Sequence, residues 1–496
     1  MKKKRTKSRL RSFIATRGRR VADPSVTVRM YKEGLGDCFL LTFQGGPKPV
    51  HMLIDCGVIV GTKDASTAMT NVVTDLKAAT GGHLDVVVAT HEHWDHISGF
   101  MQAKPVFDTI AIDQVWLAWT EEPGNTRAQE LKDEFGLQLK AVRQAMTKWG
   151  PGLQPRLRAA VEEVLTFAGD GLAAGGPTTA DALAYLKKTR HEATQRYLTP
   201  GETPFAVPGV DGVRVFVLGP PSADEYVRRL LPRKHSEDAY EMRLTATRAF
   251  AAALPPAGGP AEDEEARRLA FPFDEYYMIP KDQGLSRGDD DFFRRYYGPA
   301  PGASDPDLGW RRIDEDWLTV AGQLALDLDN KTNNTCLVLA FEIIATGEVL
   351  LFPGDAQIGN WESWKTVTFT VPDGNGHTRT VTSKDLLART VFYKVGHHGS
   401  HNATHRAEGL ELMTSPDLVS MIPVNHEMAK VKRWNMPFPP LLKRLTEKCR
   451  SRVIRQDDPA GAAAAAAAAV LPTSEAKRFK DAVNDQSLFV ECRFPM

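Results

Sequence analysis

Short apolar runs separated by turn residues characterise the beginning of the chain. The segments SVTVRMY (25–31), DCFLLTF (37–43) and HMLIDCG (51–57) have the composition of β-strands, and turns that contain glycine separate them. Residues 84–90 form a further apolar run, and its three valines favour the interior of a sheet. The pattern predicts an antiparallel meander over residues 25–57, followed by a buried strand.

A second group of strand candidates begins near residue 213. These candidates are VRVFVLGPP (213–221), TCLVLAFEII (335–344), EVLLFPGD (348–355), TVFYKVGHHGS (390–400), LVSMIPV (418–424) and SLFVECRF (487–494). PFPPLLKRLTEKC (437–449) predicts a helix, and the alanine-rich run 461–470 predicts an expanded turn or a short helix. A β-rich beginning and a β-rich end favour an α/β protein with two packed sheets and helices outside them.

Two long stretches interrupt this strand pattern. Helical spacing is found in AQELKDEFGLQLKAVRQAM (128–146), RLRAAVEEVLTFA (156–168) and TADALAYLKKTRHEATQRYL (179–198). Residues 222–325 combine charged helical segments with a run rich in proline, glycine and alanine. We therefore predict helical insertions at about 121–204 and 222–325.

Composition and charge change this picture only at the N-terminus. The chain has 496 residues and equal numbers of basic and acidic residues, 62 of each. Ten of the basic residues fall within the first twenty positions, where no acidic residue occurs. This composition predicts a disordered basic tail over residues 1–24 in preference to a nucleic-acid or lipid contact. The rest of the chain is slightly acidic and predicts no broad basic surface.

Hydropathy and cysteine content bear on the compartment. No apolar run approaches the roughly 18 residues that are needed to span a bilayer. The five cysteines form no closely spaced ligand pairs, and a sparse, odd set is typical of a reducing environment. We expect a soluble, cytoplasmic protein without disulfides and without membrane partners.

The segment THEHWDH carries the most specific chemistry in the chain. His91, His93, Asp95 and His96 fall within six positions, directly after the predicted strand 84–90. Imidazole nitrogens and carboxylate oxygens are the ligands of Zn²⁺, Mn²⁺ and iron. A cluster of buried polar residues without a metal is the alternative, but burying so many ionisable groups is costly. The segment therefore predicts a metal centre.

Two later strand candidates end in residues of the same types. LLFPGD ends in Asp355, and KVGHHGS carries His397 and His398. Each motif alone is compatible with an ordinary turn. Three strand ends that carry metal-binding residue types are expected to meet at one site.

These motifs together resemble the metallo-β-lactamase-fold metallohydrolases. THEHWDH, IDCG with Asp55, FPGD and GHHGS occur in the order that this superfamily shows. The set GLGDCFLL, NNTCLVL, LLFPGD and KVGHHGS is most similar to the hydrolase domain of bacterial DNA-uptake channel proteins and to its stand-alone relatives. The resemblance covers about 25–120, 205–221 and 330–496. It implies a four-layer αββα sandwich, with residues 25–496 as one hydrolase domain.

The resemblance also implies how two divalent ions, Zn²⁺ or Mn²⁺, would be held. His91 and His93 would hold one ion, Asp95 and His96 the other, and Asp355 would bridge both. A histidine of GHHGS would complete the second site. We favour His398 in that role, with His397 contacting the substrate or a ligand, although the reverse order stays open.

One position departs from the superfamily pattern. A further histidine usually lies roughly twenty residues before the bridging aspartate, and Asn333 and Asn334 occupy that window here. An amide is a weaker ligand than imidazole, so we expect the first site to be loosely filled, to prefer Mn²⁺ or to assemble only with substrate.

Further polar residues are candidates for supporting roles. Asp55 is expected to orient a ligand histidine, and Asp37 either does the same or forms a turn. The loop after the paired histidines supplies candidates for substrate contacts or turn capping: Ser400, His401, Asn402 and Thr404. Trp116 and Trp119 either line a pocket or pack in the core.

The expected activity follows from the implied metals. Two ions would generate hydroxide from water at neutral pH and polarise the bond to be cleaved, with Asp95 or Asp355 accepting the proton. The resemblance favours phosphodiester hydrolysis of a nucleic acid or a small phosphate ester. Hydrolysis of a lactone, amide or thioester is the first alternative. A metal-stabilised binding or effector module without catalysis is the second.

Overall fold

The computed structural model describes residues 23–149, 165, 176–189, 193–228, 332–372, 376–432 and 434–496. Nearly all of the predicted basic tail and of the 222–325 insertion lies outside the described residues. The predicted helix at 156–168 also lies outside them, apart from position 165.

Most of the strands within the described residues belong to two large sheets. The strands are β1 (Ser25–Tyr31), β2 (Cys38–Gln44), β3 (Val50–Cys56), β4 (His83–Val88), β5 (Ala111–Ala118), β6 (Thr194–Leu198), β7 (Phe205–Val207), β8 (Val210–Gly219), β9 (Val338–Ile343), β10 (Val349–Phe352), β11 (Thr368–Pro372), β12 (Thr378–Thr382), β13 (Thr390–Lys394), β14 (Val419–Ile422), β15 (Val453–Arg455), β16 (Val483–Asp485) and β17 (Phe489–Pro495).

Helices connect and flank these strands. The α-helices are α1 (Ala65–Thr80), α2 (Trp94–Ile97), α3 (Gly99–Gln102), α4 (Lys104–Phe107), α5 (Thr126–Trp149), α6 (Thr179–Ala184), α7 (Asp224–Val227), α8 (Ile358–Ser363), α9 (Ser383–Ala388), α10 (His426–Val431), α11 (Pro439–Lys448), α12 (Ala462–Ala468) and α13 (Thr473–Ala482). None of the helices in the described part of the chain is long and apolar enough to cross a lipid bilayer.

The first sheet joins both ends of the described chain. Its strand order is β16-β17-β1-β2-β3-β4-β5-β6. β1, β2 and β3 pair antiparallel, which confirms the predicted meander, and β17 pairs antiparallel with β1. From β3 through β6 the pairing is parallel. The carboxyl ends of β3 and β4 therefore lie at the same edge of the sheet.

The second sheet has the order β15-β14-β13-β10-β9-β8-β7. β8, β9 and β10 pair antiparallel, whereas β10, β13, β14 and β15 pair parallel. The carboxyl ends of β10 and β13 are thus neighbours, and each precedes one of the predicted ligand motifs. β11 and β12 form a separate hairpin.

An apolar layer lies between the two sheets because alternate residues of each strand point to one face. Val26, Val28 and Met30 of the first sheet contribute to this layer. On the second sheet, the residues on one face of β9 also contribute to it. The rings of Phe39 and Phe352 meet across it with centroids 6.0 Å apart. Burial of this inner layer is what holds the sheets face to face.

The outer face of each sheet packs against helices. On the first sheet, buried residues of α1 to α4 and of α6 form one apolar cluster with residues of the opposite strand faces, such as Leu53 and Val87. On the second sheet, α8 to α11 form another with residues such as Val338 and Ala340. The described residues therefore form an α/β fold with two large mixed sheets and helices packed on both.

Several sequence predictions require correction. The helix predicted over 179–198 is wrong at its end, because α6 stops at Ala184, a π-helical turn follows at Tyr185–Thr189, and residues 194–198 form β6. β6 is an edge strand whose parallel hydrogen bonds come from β5, a partner that local helix propensity does not reveal. The sheet therefore reaches into the predicted 121–204 insertion. The predicted strand 84–90 ends at Val88. The alanine-rich run contains the helix α12, which is one of the two forms predicted for it.

Candidate metal centre

Three segments that follow strand ends converge beside the sheets. Asp95 and His96 lie on α2, which begins six residues after β4 ends. Asp355 follows β10, and His398 follows β13. These four side chains are buried, with at most 1% of each side chain exposed. Residues far apart in the chain are thus placed together by the carboxyl ends of neighbouring strands.

Asp95, His96, Asp355 and His398 form one compact group, which we call the four-residue group. One ligand-type atom from each of the four lies within 4.8 Å of the others. Nε2 of His398 is 2.8 Å from Oδ2 of Asp95, and Nε2 of His96 is 3.0 Å from Oδ2 of Asp355. Nε2 of His96 is also 3.7 Å from Oδ2 of Asp95. The group has the ligand types and spacing that a divalent cation requires.

Hydrogen bonds on the far side of each ring fix which nitrogen faces the group. Nδ1 of His398 donates to the carbonyl oxygen of Pro423 at 2.7 Å, and Nδ1 of His96 donates to Oδ2 of Asp55 at 2.8 Å. A carbonyl and a carboxylate only accept hydrogen bonds, so these partners assign the proton to Nδ1. Nε2 of each ring is then the nitrogen that a metal would use.

Unpaired polar atoms provide a test of whether a cation fits. Among the described residues, Oδ1 of Asp95 and Nε2 of His91 are buried and have no hydrogen-bond partner. Nε2 of His96 and of His398 each face a carboxylate oxygen. Buried atoms of this kind cost free energy unless a proton or a cation balances them. Cations held by the four-residue group and by His91 would balance these atoms, so the residues fit a metal.

His91 and His93 lie beside the four-residue group. The ring centroid of His91 is 4.2 Å from that of His96 and 4.6 Å from that of His93. Burial lowers the pKa of both residues, to about 4 for His93 and well below its usual value for His91. Neutral imidazole is the form that binds metal. The two rings are therefore available as neutral ligands next to Asp355.

Asp55 lies in β3 and connects this strand to the residues that follow β4. Its Oδ1 accepts from the backbone N–H of Thr90 at 2.8 Å, and its Oδ2 accepts from the Thr90 hydroxyl at 2.7 Å as well as from His96. The Thr90 hydroxyl oxygen lies 3.1 Å from Nδ1 of His91. Asp55 has a φ of 55°, a left-handed conformation that is uncommon for a residue other than glycine. It thus contacts one ligand-type histidine directly and another through Thr90.

A close backbone approach fixes the position of Asp95. A Cβ atom on Gly57 would lie 2.5 Å from the carbonyl carbon of Asp95, so only glycine allows this approach. The backbone N–H of Asp37 donates to the Asp95 carbonyl oxygen at 3.0 Å. The GLGD and DCG segments therefore pack directly against the backbone of α2.

Lys394 is a functional candidate that received no role from the sequence, although it is the first residue of the motif KVGHHGS. Its Nζ donates to the carbonyl oxygen of Gly354 at 2.9 Å, to Oδ1 of Asp355 at 3.0 Å and to Oδ2 of Asp37. The sequence signals are a lysine within the apolar run TVFYKV and its position at the start of KVGHHGS. Asp37 therefore contacts Lys394, and burial raises the pKa of its carboxyl group.

His397 lies at the edge of the four-residue group and is not one of its members. Its backbone N–H donates to Oδ1 of Asp355 at 2.7 Å. Its Nδ1 lies 3.0 Å from the Ser400 hydroxyl oxygen and 3.3 Å from Nε2 of Gln357. His397 and His398 both have positive φ, 43° and 53°, and their ring centroids lie 6.0 Å apart with an angle of 57° between the ring planes. Gln357, which the sequence motifs did not suggest, is buried beside His397.

The remaining candidates lie in the loop that follows His398 and differ in their contacts. Ser400 donates to the side chain of Asn402 at 2.8 Å. The hydroxyl groups of Thr404 and Tyr393 are 2.7 Å apart, and His401 is exposed near Phe438. These contacts place Thr404 in the packing of the loop and leave His401 at the surface.

The two asparagines in the NNTCLVL motif are both buried. Oδ1 of Asn334 accepts from the backbone N–H of Asn360 at 3.0 Å, and its Nδ2 donates to the carbonyl oxygen of Val227 at 3.3 Å. The Asn334 amide therefore joins α8 to α7. This use of both ends of the amide does not favour Asn334 as a metal ligand.

The two tryptophans of VWLAWTEEPGN pack in the interior. Trp116 is fully buried and meets Phe205 edge to face at 5.3 Å. Trp119 is also buried, and its indole N–H donates to the carbonyl oxygen of Pro220 at 3.0 Å. These contacts favour packing over the lining of a pocket.

No protein-family model matches the chain, and no curated protein matches it. The arrangement of the site therefore has to be interpreted from its own residues. Its main features are the four-residue group, the histidine pair His91 and His93, and the contacts made by Asp55 and Lys394.

Proposed function

We propose that this chain is a metal-dependent hydrolase with the four-layer αββα sandwich of the metallo-β-lactamase type. The motif order supports the proposal, as does the packing of two mixed sheets face to face with helices on their outer sides. A fold of this kind leaves the site at the strand ends, where catalytic groups are commonly carried.

The four-residue group is the observation that carries the proposal. Its two imidazoles and two carboxylates are buried, have ligand-type atoms within 4.8 Å of one another and come from three separate segments. Asp95, His96, Asp355 and His398 would hold one ion. His91 and His93, with Asp355 shared between the sites, would hold a second. That second set has fewer protein ligands, so we expect it to bind more weakly.

The metal, when bound, supplies Lewis acidity and lowers the pKa of water towards neutrality. The protein contributes the geometry of the reacting groups. Asp95 has one oxygen near His398 and a second without a partner among the described residues, so it is placed to accept a proton from water. His397 lies beside the group, where it would contact an oxygen of the substrate.

A phosphodiester is the substrate class that we favour. The support is the resemblance of THEHWDH, FPGD and KVGHHGS to the hydrolase domain of DNA-uptake proteins. Lactones, amides and thioesters are cleaved by the same metal-activated water and form the alternative class.

Metal content and diester cleavage test this proposal together. We expect the purified protein to bind about two equivalents of Mn²⁺ or Zn²⁺ and to hydrolyse bis(p-nitrophenyl) phosphate. Asp95→Ala should lose both metal and activity. Asp481→Ala is the matched control, because this aspartate is 60% exposed and pairs with Lys477 on α13.

Each outcome has a definite meaning. Metal binding without diester cleavage would move the substrate class to lactones and amides. Failure of the wild-type protein to bind metal would refute the hydrolase proposal and favour a binding or effector role. Equal loss of activity in both variants would show that the assay reports general damage to the fold.

A further inference from the structure

Lys394 is a buried cation at the centre of the site. It is the last residue of β13, and only 1% of its surface is exposed. Its ammonium group has three acceptors: the carbonyl oxygen of Gly354 and the carboxylates of Asp355 and Asp37. A lysine is almost never fully buried unless it is paired. Three acceptors match the three protons of the ammonium group, so this position is built to hold a cation.

The surrounding charge explains why a cation is needed there. Four carboxylates lie buried around the two ligand histidines of the four-residue group, those of Asp37, Asp55, Asp95 and Asp355. Negative charge removed from water is strongly unfavourable unless positive charge compensates it. Before a metal binds, the ammonium group of Lys394 supplies such a charge through direct contact with two of the four.

The two carboxylate oxygens of Asp355 have different partners, and Lys394 contacts only one of them. Oδ1 accepts from Lys394 at 3.0 Å and from the backbone N–H of His397 at 2.7 Å. Oδ2 points the other way and lies 3.0 Å from Nε2 of His96. A metal held by the four-residue group would therefore meet Oδ2, while the ammonium group stays on the opposite oxygen.

We propose that Lys394 is a resident counter-cation, a positioning residue that stabilises the metal-free fold and lowers the affinity of the centre for its metal. This inference rests on the metal binding in the proposed function. The direction of the effect on metal affinity follows from the charges. The ammonium group compensates the same carboxylate that the metal would use, and it repels a divalent ion placed on the other oxygen of that carboxylate. Lys394 therefore matters most when no metal is bound.

The test compares metal-free and metal-loaded protein. Lys394→Met keeps the length of the side chain and removes its charge. We expect its Tm in EDTA to fall well below that of the wild type, with a much smaller fall in saturating Mn²⁺. By linkage, calorimetric titration should show Mn²⁺ bound roughly tenfold more tightly by the variant.

Two further variants separate charge from packing. Tyr393→Phe, the neighbouring position on β13, removes the hydroxyl group that meets Thr404 and should shift both Tm values equally. Lys394→Met combined with Asp37→Asn removes one positive and one negative charge together. We expect this double variant to recover most of the Tm that the single variant loses in EDTA.

Equal Tm losses with and without Mn²⁺, or weaker Mn²⁺ binding by Lys394→Met, would overturn the proposal. If Lys394→Met does not fold, folding of the double variant supports a charge role, and failure of both variants overturns it. A wild-type protein that binds neither Mn²⁺ nor Zn²⁺ would refute the proposed hydrolase. In that case the Tm comparison in EDTA would still decide whether Lys394 compensates charge.

Discussion

Asp55→Asn is the most informative single change at this site. The two oxygens of Asp55 have different partners, because Oδ1 accepts from the Thr90 backbone N–H and Oδ2 accepts from His96. An asparagine must keep its oxygen towards the backbone N–H of Thr90, since two donors cannot pair. Its NH₂ group then faces Nδ1 of His96, and the proton of that ring moves to Nε2. The nitrogen that faces the four-residue group can no longer bind a metal.

The size of the effect follows from these contacts. Loss of a carboxylate behind a ligand histidine typically weakens metal binding by about 10- to 100-fold, or ~1.4–2.8 kcal/mol. The free energy of unfolding should change less, by below about 2 kcal/mol, because the hydrogen bond to Thr90 is kept. The variant should therefore fold normally and bind metal poorly.

The assay is isothermal titration with Mn²⁺, together with urea denaturation of the same preparation. Asp75→Asn is the control, since Asp75 lies on α1 and contacts Tyr31 and Arg29. It should leave the Kd for Mn²⁺ unchanged. If Asp55→Asn binds Mn²⁺ within twofold of the wild type, the tautomer reasoning is wrong. If it unfolds at much lower urea concentrations, Asp55 serves the fold more than the metal.

Three further changes test other parts of the structure. His398→Ala should weaken Mn²⁺ binding far more than His397→Ala in titration calorimetry, because only His398 belongs to the four-residue group; equal effects would contradict this assignment. Asn334→Ala should destabilise the fold by about 1–3 kcal/mol in urea, since the Asn360 N–H loses its acceptor, while the Kd for Mn²⁺ stays the same. A changed Kd would instead make Asn334 a ligand. Phe341→Ala should cost about 3–5 kcal/mol in urea, because its buried ring lies between the sheets 5.7 Å from that of Phe352. A loss below about 1 kcal/mol would show that this part of the core repacks.

Local sequence predicted some elements well and others poorly. The meander β1 to β3 and the strands β9, β10, β13 and β14 follow apolar runs bounded by turns, which is a local signal. β6 was predicted as part of a helix because its strand identity depends on pairing with β5, at the edge of the first sheet. β5 and α1 were not predicted at all. Pairing across distant segments is information that a local pattern does not contain.

The candidate metal centre was likewise predicted in part from local sequence and determined in part only by the tertiary structure. Residue type and spacing alone indicated a metal centre at THEHWDH, FPGD and GHHGS, because imidazole and carboxylate groups of this density are costly to bury without a cation. Distances between segments came only from the tertiary structure. It placed His398 against Asp95, 303 positions earlier in the chain, and left His397 at the edge of the four-residue group.

Supporting residues were decided almost entirely by tertiary structure. Lys394 lies within an apolar strand, and the local pattern gives no reason to place its ammonium group on two carboxylates. Asn334 had the spacing of a ligand, yet its amide joins two helices. The sequence determined which chemical groups were present and roughly where strands would end. The packing of the two sheets decided which of those groups meet, because hydrogen bonds and ion pairs depend on distances that only the folded chain sets.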